Sequence, residues 1–169
     1  MAFVVETGTG SSTATAYCTV QFFRDFCEVE GLDLTGIDDT AIELALQRAT
    51  RYMDYRYSFV GYRLNDIQRL QWPRSYAYYR DGRVALDVPR EVQECSAFLA
   101  FRSLSARLAP DPTYDESGAK VLRKAEQVGP ISQELEFANG GALATMRKYP
   151  EADQLIRCLT TGGGELLRA

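Results

Sequence analysis

Apolar residues recur at helical spacing in several segments of this chain, which predicts a mainly α-helical fold. The segments run from Thr19 to about Glu30, from Thr40 to about Tyr57, from Pro89 to about Leu108 and from Pro150 to about Leu159. Thr40 and Glu43 have the spacing of a capping box, and both prolines suit the first position of a helix. The third helix has the widest apolar face, so we expect it at the centre of a small helical bundle. Its apolar residues are Val92, Cys95, Phe98, Leu99, Phe101 and Leu104.

A long connection separates the second and third helices. Between Phe59 and Val88 the apolar pattern is broken by Gly61, Pro73 and Gly82, which favour turns. We predict an ordered loop with a short helix from about Asp66 to Trp72. Long ordered loops in compact domains usually carry function, and we expect the same here.

Small polar stretches at both ends divide the 169 residues into three parts. We predict an extended N-terminal arm over 1–16, a helical domain over 17–159 and a flexible C-terminal tail over 160–169. The runs Gly8-Thr9-Gly10 and Gly162-Gly163-Gly164 lack phosphate-loop spacing, so we interpret them as flexible hinges. Within the domain, the pattern from Ala119 to Phe137 is ambiguous, because Val121 to Gln127 also fits a helix. The alternating residues after Gly129-Pro130 favour an extended or β-hairpin segment near 119–137.

The chain contains no histidine, which excludes Ser-His-Asp and Cys-His catalysis and zinc sites of the Cys/His type. Its four cysteines are widely separated, so we expect neither a metal site nor a disulfide framework. The sequence therefore predicts a protein without enzymatic activity, metal or cofactor, in a reducing compartment. The first residues lack a signal-peptide pattern and no stretch suits a membrane span, which predicts synthesis in the cytoplasm.

Two pairs of carboxylates have spacings that acid–base chemistry or a hard cation could use. Asp38-Asp39 also suits the negative charge preferred in the first turn of a helix. Glu134 and Glu136 alternate as the solvated face of a strand does. We favour these structural roles for both pairs.

Charge is unevenly distributed along the chain. Residues 48–90 hold nine arginines and four acidic residues, a net charge of +5, whereas the other residues hold 10 basic and 19 acidic groups, a net charge of -9. The same segment contains seven of the ten tyrosines. Arginine interleaved with tyrosine is typical of a stacking platform for single-stranded nucleic acid, but both residues are also enriched at protein–protein interfaces. The overall net charge of -4 favours the protein interface.

Short sequence blocks follow one another over nearly the whole chain. They are Val5-Glu6-Thr7-Gly8, Ala16-Tyr17, Arg48-Ala49-Thr50-Arg51-Tyr52-Met53-Asp54, Gly61-Tyr62-Arg63, Gln71-Trp72-Pro73-Arg74, Asp81-Gly82, Val88-Pro89 and Val128-Gly129-Pro130. This series resembles the head–tail connector, or adaptor, proteins of tailed bacteriophages. Some relatives are described as DnaT-like single-stranded-DNA-binding proteins, which gives an alternative function: a single-stranded DNA-binding module that uses the Arg/Tyr-rich 48–90 segment.

The resemblance implies a structural virion protein of the head–tail neck, made in the cytoplasm of the host bacterium. Such subunits form a homo-oligomeric ring, typically a dodecamer, that docks under the portal protein and extends the DNA channel toward the tail. The next neck or tail-completion protein follows below, and genomic DNA passes through without sequence recognition. No membrane is involved. A ring contact joins two different patches of one chain, which the +5 and -9 segments could supply.

The resemblance also implies structural anchors. Trp72 and Pro73 would hold the long connection against the core, and Arg48 with Asp54 would fix the second helix to it. Gly129 and Pro130 complete this set.

Two groups of residues are predicted to make contacts between proteins. From the charge imbalance we expect an inter-subunit contact through Arg69, Arg74 and Arg83. Beyond the last glycine run lies an apolar pair on a flexible lead, a pattern that suits a segment ordering on a partner. By the resemblance that partner is the portal, and the docking residues are Leu166, Leu167 and Arg168.

Overall fold

The computed structural model of the chain describes residues 2–109, 121–127, 132–137 and 149–161. Helices in these residues are α1 (Val20–Val29), α2 (Asp39–Arg56), α3 (Arg90–Ser105) and α4 (Pro150–Leu155), with a 3-10 helix at Arg157–Leu159. The strands are β1 (Tyr62–Arg63), β2 (Arg74–Ser75), β3 (Val121–Gln127) and β4 (Ser132–Phe137). The mainly α-helical class predicted from apolar periodicity is confirmed.

The chain divides into two compact units. Unit 1 comprises Met1–Leu108 and Tyr149–Ala169 and contains the helices, whereas unit 2 comprises Ala109–Lys148. In unit 2, β3 and β4 pair antiparallel, with Gln127 opposite Ser132. This pairing confirms the predicted β-hairpin segment near 119–137. The division into arm, helical domain and tail stays a prediction.

Local hydrogen bonds fix where the helices begin. Thr19, where the first segment was predicted to begin, caps α1, since its Oγ1 accepts from the Phe22 backbone N–H at 3.0 Å. The prediction that Thr40 caps α2 is wrong. Asp38 has the extended backbone of a capping residue, and its Oδ1 accepts from the Ala41 N–H at 3.1 Å.

The third helix differs from its prediction at both ends. Pro89 is the N-cap residue of α3 rather than its first helical residue. The helix ends at Ser105 instead of near Leu108, because the backbone of Ala106 is extended (φ -156°, ψ 158°). The Pro150 start of α4 is as predicted.

α3 is the central helix of unit 1 and contacts α1, α2 and α4. One face of α2, formed by Ile42, Leu46, Ala49 and Met53, is fully buried, and most of the apolar face predicted for the third helix is buried in α3. Full burial of one such large side chain stabilises a fold by about 1.5–3 kcal/mol. Large, fully buried side chains of the helices are Phe23, Ile42, Leu46, Met53, Val92, Leu99 and Leu159, and Ile156 between α4 and the 3-10 helix is also fully buried.

The N-terminal stretch forms part of this core. Val5 pairs with Ala16 in a parallel bridge, and the Glu6 N–H donates to the Ala16 carbonyl at 2.9 Å. Ala16, Tyr17 and Cys18 are buried. The backbone of this stretch pairs with itself and carries Ala14 and Ala16 into the core.

The long connection between α2 and α3 contains two short hairpins. β1 and β2 pair antiparallel, with Tyr62 opposite Ser75, and a second antiparallel bridge joins Tyr78 to Val84. The helix predicted from Asp66 to Trp72 is absent from this described stretch.

Two side chains of this turn replace the hydrogen bonds that a helix would make. The Asn65 Oδ1 accepts from the Gln68 N–H at 2.8 Å, and the Gln68 Oε1 accepts from the Asn65 N–H at 3.1 Å. The Gln68 Nε2 then donates to the carbonyls of Leu70 and Pro73. Such side-chain bonds compete with helix formation.

The segment after unit 2 returns to α2. The Tyr57 hydroxyl donates to Asp153 Oδ1 at 2.7 Å, and the rings of Tyr52 and Tyr149 meet edge-on at 5.9 Å. Thr160 forms an antiparallel bridge with Phe59. Residues 149–161 therefore complete unit 1.

All four cysteines are free thiols. Cys18, Cys27 and Cys95 are buried in the core. Burial raises the pKa of Cys18 to about 12, so this thiol stays protonated at neutral pH. In the described residues, no helix has the length and apolar character needed to cross a membrane.

Candidate functional site

The long connection is held to the core by a buried polar cluster. The Tyr17 hydroxyl donates to Asp54 Oδ1 on α2. The Gln71 N–H points between both side chains, at 3.3 Å from Asp54 Oδ2 and 3.1 Å from the Tyr17 oxygen. The backbone N–H of Trp72 also donates to the Tyr17 oxygen, at 3.3 Å. The N-terminal segment, α2 and the connection therefore meet at two polar side chains.

The environment of this cluster shifts the pKa values of both its members. Burial raises the pKa of Asp54 to about 6, although the hydrogen bonds from Tyr17 and Gln71 and the charges of Arg63 and Arg74 act in the opposite direction. Burial, followed by the Asp54 charge, also raises the pKa of Tyr17 well above its ordinary value. The carboxylate is ionised at neutral pH but accepts a proton in mild acid.

Trp72, which the resemblance implies as an anchor, is fully buried. Its ring meets the Phe59 ring edge-on at 5.8 Å, and the buried Pro73 follows it through a cis peptide bond. A buried indole is not available for base stacking. Arg48, paired with Asp54 in the same prediction, is exposed on α2.

Arg74 lies inside the connection rather than on its surface. Its guanidinium donates to the carbonyls of Val60 and Gly61, both at 2.7 Å, and to the Gln71 carbonyl at 3.2 Å. The pKa of Arg74 is lowered by burial. A charge reversal at Arg74 would therefore disrupt the chain's own fold, which separates this residue from Arg69 and Arg83, the two exposed members of the predicted inter-subunit set.

Glu6 holds the first turn of the chain against the connection. Its side chain is buried, and its Oε1 accepts from the backbone N–H groups of Gly8, Thr9 and Gly10 at 2.9–3.0 Å. The Oε2 accepts from the Ser11 N–H at 2.8 Å. The interpretation of Gly8-Thr9-Gly10 as a flexible hinge was wrong, because a buried carboxylate organises these residues.

The same turn is bound to residues of the connection. The Asn65 side chain donates to the Gly10 carbonyl at 3.2 Å, and the Arg69 backbone N–H donates to the Ser11 carbonyl at 3.1 Å. Gly10 has a positive φ of 72°, and a Cβ there would overlap the Asn65 amide. The connection is thus bound both to Asp54 of α2 and to the N-terminal turn.

Many outward side chains of the connection are aromatic, cationic or aliphatic. The tyrosines Tyr62, Tyr76 and Tyr78 are 73%, 72% and 49% exposed. We define the hairpin surface as these tyrosines together with Arg63, Leu64, Ile67, Arg69, Arg80, Arg83, Val84 and Leu86, all of which are exposed.

Part of this surface is tied to its own neighbours. Arg83 pairs with Asp81 at 2.6 Å, and its guanidinium stacks over the Tyr79 ring at 5.0 Å. The Tyr79 hydroxyl donates to Glu91 of α3 at 2.8 Å. Burial and this hydrogen bond raise the pKa of Tyr79 to about 12. Tyr79 therefore attaches the hairpin surface to α3 and is not one of its exposed residues.

The Asp38-Asp39 pair occupies a structural position at the start of α2. Asp38 caps α2, and Asp39 in its first turn pairs with Arg24 at 2.6 Å. Glu134 and Glu136 lie in β4. Within the described ranges, no group of three or more acidic or cysteine side chains is arranged to hold a metal ion.

Several predicted residues lie outside the described residues. These are the structural anchors Gly129 and Pro130 and the docking residues Leu166, Leu167 and Arg168. The roles predicted for them stay predictions.

Two residues that shape the site were not predicted from the sequence. Glu6 was noted only as part of a sequence block, although a carboxylate before four small residues can accept several consecutive backbone N–H groups. Tyr76 has a positive φ of 55°. No local sequence pattern predicts this conformation, because tyrosine disfavours it.

The fold and the hairpin surface define a small, mainly helical protein that presents tyrosine and arginine on an anchored connection. A family model described as "Putative DnaT-like ssDNA binding protein" matches residues 1–169, and the chain belongs to this family. No curated protein and no solved structure matches the chain. The family description agrees with the alternative function of the sequence analysis and gives no support to the head–tail connector resemblance.

Proposed function

We propose that this protein binds single-stranded DNA through the hairpin surface. The observation that carries the proposal is the exposure of Tyr62, Tyr76 and Tyr78 on one anchored connection. Exposed aromatic rings stack on unpaired bases without sequence preference, because every base has a π-face. Membership of a family described by single-stranded DNA binding supports the same function.

The charge of the connection suits a phosphate backbone. Residues 62–86 contain five arginines and two aspartates, a net charge of +3 in a chain of net charge -4. Arg74 is engaged inside the connection, so we assign the phosphate contacts to the exposed Arg63 and Arg80. The acidic remainder of the chain repels DNA and confines binding to this surface.

Anchoring of the connection also favours binding. The Asp54 cluster, the Arg74 guanidinium and the Glu6 turn hold its backbone, so little conformational entropy is lost when DNA binds. The proposed role is binding without catalysis.

The test is fluorescence anisotropy with labelled oligodeoxythymidine over a series of salt concentrations. Affinity should fall as salt rises, and Arg63→Gln or Arg80→Gln should each reduce the slope of log K against log[salt] by about 0.7. Arg48→Gln, an exposed arginine on α2, is the matched control and should leave the slope unchanged. Wild-type protein without measurable affinity would overturn the proposal.

A second candidate is the head–tail adaptor, a subunit of a homo-oligomeric ring under the portal. The observation that favours it is the exposure of aliphatic side chains on the same surface, with Ile67 74% and Leu86 71% exposed. Base stacking does not need aliphatic partners, whereas the buried core of a protein interface is more apolar than the rest of the surface. In this role the exposed Arg69 and Arg83 would face the acidic surface of the neighbouring subunit.

Mass and binding measurements separate the two candidates. A DNA-binding module gives salt-sensitive affinity for oligodeoxythymidine, whereas an adaptor gives rings or portal-bound assemblies without such affinity. Charge reversal at Arg69 and Arg83 should hinder ring formation while the subunit stays folded. Deletion of residues 162–169 should prevent attachment to portal-bearing heads if Leu166, Leu167 and Arg168 dock there.

A further inference from the structure

Tyr76 combines an unfavourable backbone with an exposed side chain. Its φ of 55° lies in the left-handed region, where a bulky residue is rare. Its side chain is 72% exposed, so burial of the ring does not offset the backbone cost. Glycine or asparagine would adopt this conformation more easily.

The neighbours of Tyr76 enforce this conformation. On one side, Ser75 pairs with Tyr62 in the first hairpin. On the other side, Ala77 is fully buried, and its carbonyl accepts from the Ala85 N–H at 2.8 Å. With both flanks fixed, the backbone of residue 76 must turn sharply between them.

Gly61 lets its own backbone pack closely against the backbone of the turn at Tyr76. A Cβ at Gly61 would lie 2.8 Å from the Ala77 nitrogen and 2.9 Å from the Tyr76 carbonyl carbon, and it would overlap the Ser75 oxygen. The Arg74 guanidinium holds the Gly61 carbonyl at 2.7 Å in the same region. The turn is therefore built by close packing of backbone and is not a free loop tip.

We propose that Tyr76 is the principal base-stacking residue of the hairpin surface and that the enforced left-handed turn serves to project its ring. This inference rests on the proposed function. A strained residue persists only where its surroundings over-determine it, and such residues cluster at binding sites. An exposed tyrosine at a position suited to glycine implies a role for the ring itself.

The test compares three substitutions at this position in the full chain. Tyr76→Gly and Tyr76→Asn remove the ring and relieve the backbone, so both variants should melt at or above the wild-type temperature. Both should bind oligodeoxythymidine about 5- to 150-fold more weakly, the range for loss of one base–aromatic stack. Tyr76→Phe keeps the ring and should retain affinity.

Tyr55→Ala is the matched control, because Tyr55 is 86% exposed but lies on α2 in ordinary helical conformation. Its affinity should equal that of the wild type. If Tyr76→Gly binds as tightly as a binding-competent wild type, the inference is overturned and the proposed function stands. If Tyr76→Gly and Tyr76→Asn both melt at a lower temperature, the ring is structural and the inference is also overturned, because glycine alone also raises the entropy of the unfolded chain. Wild-type protein that fails to bind overturns both.

Discussion

Glu6 illustrates how one buried carboxylate can order a polar, glycine-rich stretch. Four consecutive backbone N–H groups, from Gly8 to Ser11, donate to its two oxygens. Hydrogen bonds to a charged acceptor are roughly twice as strong as neutral ones. Because the resulting turn contacts Asn65 and Arg69, the effect of Glu6 extends from the N-terminus to the connection.

Glu6→Ala should lower the free energy of unfolding by about 3–5 kcal/mol, because several partly buried donors lose their acceptor. Urea denaturation followed by far-UV circular dichroism measures the change. Glu28→Ala, which removes an exposed carboxylate of α1, should alter stability by less than about 0.5 kcal/mol. Equal stability of the Glu6 variant and the wild type would contradict this role.

Asp54 makes the stability of the fold depend on pH. Its pKa is raised by burial to about 6 in the folded chain, above the ordinary value of 3.8. A raised pKa means that the folded state binds the proton more tightly, so this residue favours folding at low pH. The contribution is complete below the ordinary pKa and is lost as pH rises through about 6.

The stability of the wild type relative to Asp54→Asn should therefore increase by about 2 kcal/mol when the pH falls from about 7 to about 4.5. Using the difference between two proteins removes the contribution of the other carboxylates. Urea denaturation at both pH values provides the measurement. A difference that does not change with pH would show that Asp54 titrates as an ordinary exposed aspartate.

At the scale of the elements, the connection depends on Trp72. The chain has one tryptophan, and its ring lies fully buried against Phe59. Its indole N–H has no hydrogen-bond partner among the described residues. The stabilisation therefore comes from packing rather than from a polar contact.

Trp72→Ala should lower the free energy of unfolding by about 3–5 kcal/mol, the usual cost of emptying a large buried site. Trp72→Phe should cost clearly less, because it leaves a smaller cavity and removes the unpartnered N–H. Thermal unfolding measures both changes. Tyr78→Ala, on the exposed face of the same connection, should change the melting temperature little. Unchanged melting of Trp72→Ala would disprove the anchoring role.

The elements also show which parts of the fold could be predicted from the sequence. The helices follow from apolar stripes, because burial of one face determines helical periodicity. The start of α2 was predicted two residues too late, at Thr40 instead of Asp38. Asp38, Asp39 and Thr40 are all residue types that cap helices, and the sequence does not show which of the three has the extended backbone of a cap. The 66–72 segment contains no helix because Asn65 and Gln68 bond to the backbone.

The candidate site was harder to predict than the helices. The clustering of tyrosine and arginine could be read from the sequence, but the division between exposed and internal residues could not. Tyr76 and Tyr79 are similar in sequence context, yet one is exposed and the other bonds to Glu91. Arg74 turns inward because its guanidinium donates to the carbonyls of Val60 and Gly61, a contact set by tertiary structure.

At the scale of the whole molecule, the two residues of unit 1 that flank unit 2 in the sequence lie close together. Unit 2 begins after Leu108 and ends before Tyr149, and both of these residues are buried. The Tyr149 hydroxyl donates to the Leu108 carbonyl at 3.1 Å, so the chain leaves and re-enters unit 1 at one point. The core of unit 1 is formed by residues on both sides of this point.

Replacement of residues 109–148 by a short glycine-serine linker should therefore leave unit 1 folded. Closing a shorter loop costs less entropy, and the Tyr149–Leu108 hydrogen bond already holds the two ends together. The shortened chain should keep a helical circular dichroism spectrum and a melting temperature within about 5 °C of the wild type. It should also bind oligodeoxythymidine with wild-type affinity, because the hairpin surface lies in unit 1. Loss of the helical spectrum would show that unit 1 needs unit 2 to fold, whereas a folded chain without affinity would place part of the DNA-binding surface on unit 2.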